Sequence, residues 1–292
     1  MCAELLQRGY RVKALARDTG QALHLSNSGV TLVKGDLNNT TALQQLVSGS
    51  AAVIHAAGAV RGGSQQDFDR VNVTGTANVL AAVAAQSSKA RLLLVSSLAA
   101  REPELSWYAA SKHKAEVLLQ QQRELDWVIL RPPAVYGPGD KEMLPVFQAM
   151  ARGVAPVPGD ADARLSLIHV TDLVTGLIDC LAEGATRHHT LSLCDGQPGG
   201  YDWREMADAV AQVWGRTVRL WQVPHWLLDS LAWTNLRAAR LTGRSPMLTP
   251  PKLRELRHRD WVVDNQLVTG TTGWKPRIGL RQGLEQLHKA EL

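Results

Sequence analysis

Three side chains in one stretch of the sequence have the types and spacing for proton transfer: Ser97, Tyr108 and Lys112. Tyr108 and Lys112 stand four residues apart, so on a helix they share one face. An ammonium one turn from a phenol favours the phenolate and lowers a pKa that is ordinarily about 10. A serine delivered beside that phenol hydrogen-bonds a substrate oxygen and holds it against the proton donor. The chemistry this implies is acid–base exchange at an alcohol or ketone oxygen.

The surrounding pattern supplies elements to position the three. Residues 92–95 form an apolar run that ends in Ser96 and Ser97, reading as a buried strand with serine at its carboxyl end, and residues 108–122 read as the helix. Further strands are expected over 10–16, 30–33, 51–55 and 127–130, with helices over 38–48 and 67–85 between them. Continuously apolar strands alternating with helices imply a parallel sheet covered on both faces, a doubly wound α/β fold. Beyond about residue 151 the alternation weakens. Residues 154–162 read as a Pro/Gly-rich loop, and the tail as short helices and turns. The division expected is a dinucleotide-binding domain over 1–150, with return elements at about 165–195, and a smaller lobe over 151–292 that binds substrate.

Composition excludes several classes. With 32 basic against 27 acidic residues the net charge is +5, which is mild, and the densest basic stretch, 252–259, reads as a solvated helix face, with a nucleic-acid or anionic-lipid patch as the lesser reading, so no nucleic-acid partner is expected. Cys2, Cys180 and Cys194 suit neither a disulfide framework nor a metal cluster, so no metal is expected and a reducing cytoplasm fits. The sequence has neither a membrane-spanning apolar run nor the order of a signal peptide. Nine tryptophans outnumber two phenylalanines, and Trp221, Trp226 and Trp233 cluster late, where they are expected to line a core or pocket, with contact to a membrane surface left open.

Taken in order, the motifs resemble an extended short-chain dehydrogenase/reductase of the NAD(P)-dependent epimerase/dehydratase group, over nearly the whole chain. The matching residues are Asp36-Leu37, His55-Ala56-Ala57-Gly58, Asn72 in Val-Asn-Val-Thr-Gly-Thr, Ser97, Tyr108, Lys112 and Arg131-Pro132 before Val135-Tyr136-Gly137. Singly, Asp36 is also a helix cap, His55 a core histidine, Asn72 a buried amide and Pro132 a strand stop; their order makes the match. The resemblance implies a Rossmann-type fold in which Asp36 and Leu37 bracket the adenine and Ala56, Ala57 and Gly58 pass close to the pyrophosphate and nicotinamide ribose. It further implies that Lys112 also holds that ribose, that Pro132 flanks the nicotinamide ring, and that Tyr108 is the acid/base with Ser97 positioning the substrate oxygen. A proline segment without N–H donors packs flat beside a ring. Arg17, at the end of the first visible strand, suits the 2′-phosphate of NADP, while Asp18 after it keeps NAD open. Arg164 stands where related sugar-nucleotide enzymes place an arginine on substrate phosphate. Similar proteins dimerise through the helices that correspond to 67–85 and 108–122.

Whether hydride transfer is the net reaction on a small-molecule alcohol or ketone, or a transient step of epimerisation, the three residues do not say. Leu98-Ala99 replaces the acidic pair of the usual dehydratases, which argues against dehydration. A non-catalytic NAD(P)-binding scaffold or accessory subunit is the rival reading. The Gly-rich turn of the family, with the strand before it, is absent, and residue 1 falls within the following helix. Two explanations compete: a start at an internal methionine of a longer chain, which is the favoured expectation, or a true shortened protein. Either way the sheet is expected to lack its central first strand, leaving its two neighbours without a ladder partner.

Overall fold

The computed structural model describes residues 1–86, 90–182, 184, 186–242 and 246–290. Its strands are β1 (Lys13–Ala16), β2 (Thr31–Lys34), β3 (Ala52–His55), β4 (Arg91–Val95), β5 (Trp127–Arg131), β6 (Ala134–Tyr136), β7 (Val154–Val157), β8 (Arg164–Leu165), β9 (Leu167–His169), β10 (His189–Ser192), β11 (Arg219–Gln222) and β12 (Asp260–Trp261). The helices are α1 (Cys2–Gln7), α2 (Leu23–Asn27), α3 (Thr40–Val47), α4 (Gln65–Phe68), α5 (Gly75–Ala84), α6 (Trp107–Gln120), α7 (Leu144–Ala151), α8 (Val170–Asp179), α9 (Trp203–Trp214), α10 (His225–Thr242), α11 (Pro250–Leu256), α12 (Gln266–Thr272) and α13 (Leu280–Ala290).

Four strands run parallel in the order β10-β5-β4-β3, and β1 pairs with β2 in a separate parallel pair. Among the described residues no ladder joins β1 to β3, so each keeps one edge without a backbone partner. The expected break in the sheet is therefore present. Successive side chains on a strand point to opposite faces. Leu92 and Leu94 accordingly enter one core with Leu43, Val79, Leu80 and Leu119, while Leu93 enters a second with Val128, Leu130, Leu173, Leu177 and Leu191. Burial on both faces is the reason these strands read as unbroken apolar runs. A third core, with Tyr136, Phe147, Met150, Met206, Val210 and Leu284, joins α7, α9 and α13.

Three expectations are corrected. The helix expected over 67–85 is interrupted: α4 ends at Phe68, a π-helical turn spans Asp69–Thr74, and α5 begins at Gly75. A Cβ at Gly75 would lie 2.6 Å from Leu37 Cδ1 and 3.3 Å from its Cβ, so a larger residue here would push Leu37 of the β2–α3 connection aside. Residues 154–162 are not all loop, because β7 opens them and pairs in parallel with β11; Pro156 is tolerated where a two-stranded sheet has only edge strands. The tail contains the 18-residue α10, and its tryptophans line no core: Trp221, Trp226 and Trp233 are exposed. On α10 the buried positions are Ala232 and Leu236, and at about 100° per residue positions 226 and 233 fall roughly a quarter-turn to their side.

All three cysteines are free thiols. Among the described residues no cluster of metal-ligating side chains occurs, and no helix is long and apolar enough to cross a membrane.

Candidate active site

The carboxyl end of β4 and the first turns of α6 bring the three chemical side chains together. Ser97, in extended conformation, caps the short turn Leu98–Arg101 by accepting a hydrogen bond from the Ala99 N–H at 3.2 Å. The Leu98 N–H donates to the Pro132 carbonyl at 2.8 Å, which ties this turn to the end of β5. Helix α6 starts where Ser106 Oγ accepts from the Ala109 N–H at 3.0 Å, a side-chain cap that places Tyr108 in the first turn. The Ser97 hydroxyl stands near enough to the Tyr108 phenol to pull its pKa down, and Lys112 Nζ donates to the Val95 carbonyl at 2.8 Å. Phe68 packs edge-on against Tyr108, with ring centroids 6.2 Å apart.

Electrostatics in this cluster differ from the expectation that Lys112 depresses the tyrosine. Burial pushes the Tyr108 phenol up to about 12, against a downward pull from Ser97, and the Glu255 and Glu142 carboxylates add to the rise. Burial also brings Lys112 down to about 8, with Glu116 pulling upward. The lysine directs its ammonium at a carbonyl, so desolvation governs the phenol.

The strip after β3 lies beside Lys112. Ala56, Ala57 and Gly58 are exposed, and Asn72 holds the strip from the π-helical turn: Asn72 Oδ1 accepts from the Ala59 N–H at 2.7 Å, while Asn72 Nδ2 donates to Ala59 O at 3.0 Å and to Ser111 Oγ at 2.8 Å. The Ser111 hydroxyl donates in turn to the Tyr108 carbonyl at 2.8 Å, linking the strip to α6. A Cβ at Gly58 would stand 3.1 Å from Asn72 Oδ1 and 3.4 Å from Lys112 Nζ, so the bare backbone leaves room where a side chain would crowd the lysine. The bare strip, buried Lys112 and buried Pro132 are the residues that could hold the nicotinamide-ribose end of a dinucleotide. His55 is buried against Thr76 Oγ1 at 3.0 Å and is held near 4, first by burial and then by the Lys112 charge.

The residues expected at the adenosine end are spread along the β1–β2 sheet. Arg17 is exposed after β1, and Asp18 Oδ1 accepts from the Gly20 N–H at 2.9 Å. Asp36 is exposed and accepts from the Asn38 N–H at 2.8 Å, while the Leu37 carbonyl accepts from Asn78 Nδ2 at 2.8 Å. Arg164 stands apart from the cluster. Its guanidinium donates to Gly199 O at 2.6 Å, Gly200 O at 2.8 Å and Glu205 Oε2 at 2.9 Å, and it pairs with Asp202, so it fastens β8 to the start of α9.

Sequence reading passed over two groups. Glu116, four residues after Lys112 on the same face, is buried, accepts from Arg131 Nε at 2.9 Å and bonds Ser96; the repeated spacing of four was its signal. Lys252 lies 5.5 Å from the Tyr108 ring centroid and pairs with Glu255, which accepts from Ser106 at 2.5 Å. No local pattern announces that contact, which spans more than a hundred residues, and it places α11 over the site where a plain solvated face was expected. A groove of about 820 Å³, lined by Cys194, Gln197, Val262, Asn265 and others, lies elsewhere and touches none of the three.

Comparison with known proteins gives the chain its family and fold. The model of the "NAD dependent epimerase/dehydratase family" matches residues 1–191. The ceramide reductase of Caulobacter vibrioides is 37% identical over 266 residues, covering 88% of this chain and 80% of that protein. The UDP-glucuronic acid 4-epimerase of Bacillus cereus, solved with UDP-glucuronic acid and NAD, superposes with a TM-score of 0.74 at 17% identity, over 99% of this chain and 93% of its own. RMD from Pseudomonas aeruginosa, solved with NADPH, superposes with a TM-score of 0.66 at 20% identity, over 96% and 98%.

Proposed function

The chain belongs to the NAD-dependent epimerase/dehydratase family, and from that premise we propose that it is an NAD(P)-dependent ketone reductase acting on a lipid of the ceramide class. The observation that carries this reading is the convergence of Ser97, after the end of β4, with Tyr108 and Lys112 on the first turns of α6, where Lys112 is tied to the Val95 carbonyl. A bound NADPH supplies the hydride. Tyr108, with its pKa near 12, keeps its proton at neutral pH and is a donor to a carbonyl oxygen as negative charge develops there. Ser97 orients that oxygen against the phenol, and Lys112 holds the nicotinamide ribose over Ala56, Ala57 and Gly58 with Pro132 at the ring. Asp36 and Leu37 flank the adenine and Arg17 takes the 2′-phosphate, which makes NADP the preferred cofactor. Inward-facing residues of 151–292, which exclude the exposed Trp226, Leu231 and Trp233, supply most of the lipid pocket.

The reduction direction is favoured over epimerisation because a protonated phenol is the required starting state, and because the ceramide reductase is a reductase by name at 37% identity. Purified protein incubated with NADPH and a panel of ketones, including a ceramide-type ketone, is expected to oxidise the cofactor, and Tyr108→Phe is expected to lower kcat by about 10²–10⁴-fold. Unchanged rates in the phenylalanine variant across active substrates would sink the assignment.

A further inference from the structure

Helix α10 is apolar on two sides, which is unusual for a helix at a protein surface. Ala232 and Leu236 face the core, while Trp226, at 70% exposed, Trp233 at 54%, Leu231 at 48% and Leu227 at 38% project outward. At 100° per residue these four, with Arg237 next to Trp226, lie within one arc of roughly 160° of the helix surface. Trp221 on β11, 51% exposed, adds a fifth large apolar side chain just before the helix.

Charge is concentrated in the same stretch of the sequence. Residues 225–259 hold seven lysines and arginines against two acidic residues, a net +5 that equals the net charge of the whole chain. The remaining sequence is therefore neutral overall. Arg257 joins α11 to α10 by pairing with Asp229 at 2.9 Å and donating to His225 O at 3.3 Å, while Arg237, Arg254 and Arg259 are exposed. Exposed tryptophans and leucines on one arc with arginine beside them match the headgroup boundary of a bilayer: indole takes an apolar and a wet side, and cations attract anionic lipid. This face adjoins the site, since Ala239 of α10 approaches Gly63 and Lys252 of α11 lies over Tyr108.

We propose that the outer face of α10, with basic α11 beside it, docks the protein onto the surface of an anionic phospholipid bilayer. No helix spans; α10 lies in the plane of the interface. The proposal stands on exposure and charge and does not require the catalytic reading.

The test is flotation of the full chain with vesicles of phosphatidylcholine containing phosphatidylglycerol, against vesicles of phosphatidylcholine alone. Binding is expected only with the anionic lipid, weakening as salt rises. The triple variant Trp226→Ser, Leu231→Ser, Trp233→Ser should lose roughly tenfold or more of the partition coefficient, and Arg237→Gln, which leaves the apolar arc intact, about fivefold. Equal binding by wild type and both variants, or no binding to anionic vesicles, overturns the proposal. So does a wild-type dimer that the triple variant turns into monomers without any vesicle binding, which would identify a second copy as the occupant. Turnover of a short, water-soluble ketone should be unchanged in the triple variant, so failure of that activity in wild type speaks against the reductase reading alone.

Discussion

Replacing Lys112 by methionine should stabilise the fold at neutral pH while removing turnover. Lys112 is 6% exposed, and burial lowers its pKa from 10.5 to about 8. At about 1.4 kcal/mol per pKa unit, holding the charged ammonium in the folded protein costs about 3 kcal/mol relative to the unfolded chain. Methionine fills a similar volume without the charge, but the Val95 carbonyl loses the donor it now has at 2.8 Å, a loss of about 1 kcal/mol. The net expectation is a gain of about 2 kcal/mol at pH 7, which is roughly 5 °C in Tm for a chain of this size. The pH dependence separates this cause from others. Between pH 8 and 10.5 the unfolded lysine keeps a proton that the folded one has released, so wild-type stability rises with pH there relative to the variant. Below pH 8 the difference is flat, and by pH 10.5 the wild type has recovered about 3 kcal/mol. Urea unfolding of both proteins at pH 7 and at steps from 8 to 10.5 reads it directly. A methionine variant less stable than wild type at pH 7, or a gap unchanged across that window, would refute the reasoning.

Two further outcomes follow from buried polar groups. Asn72→Ala strands the Ala59 N–H and C=O and removes the donor to the Ser111 hydroxyl, which keeps its own bond to Tyr108 O, so urea unfolding should show a loss of about 2 kcal/mol, and calorimetry a weaker affinity for NADPH; a loss within about 0.5 kcal/mol would mean that water replaces the amide. His55, depressed from 6.5 to about 4, contributes stability that is fully present above pH 6.5 and lost as pH falls towards 4, about 3 kcal/mol in all. His55→Gln should show a shallower acid limb by that amount, and identical limbs would contradict the cause.

Local patterns carried a good part of this protein. The spacing of Tyr108 and Lys112 put both on one face because helical geometry is local, and Glu116 extends the same row. The strands around Leu93 and Ile129 were legible because burial on both faces leaves no polar alternation to confuse the reading. The missing ladder between β1 and β3 was legible too, since strand order follows from element order in this fold.

Other features depend on contacts that no window of sequence contains. The π-helical turn at Asp69–Thr74 aims Asn72 at Ala59, and Leu37 packs against Gly75 at the start of α5; both are set by packing between separate elements. Arg164 looked like a phosphate ligand until the α9 start came round to occupy it, and Lys252 and Glu255 reach the Tyr108 site from far along the chain. Tryptophan type alone pointed to a core or pocket and left a membrane surface open, and which side of α10 faced inward was decided by Ala232 and Leu236 finding a place to bury. Residue type and spacing determine what a segment is able to do, because propensity and periodicity act over a few turns; which neighbours desolvate, occupy or leave bare each side chain is a property of long-range packing, and only the tertiary structure decided it.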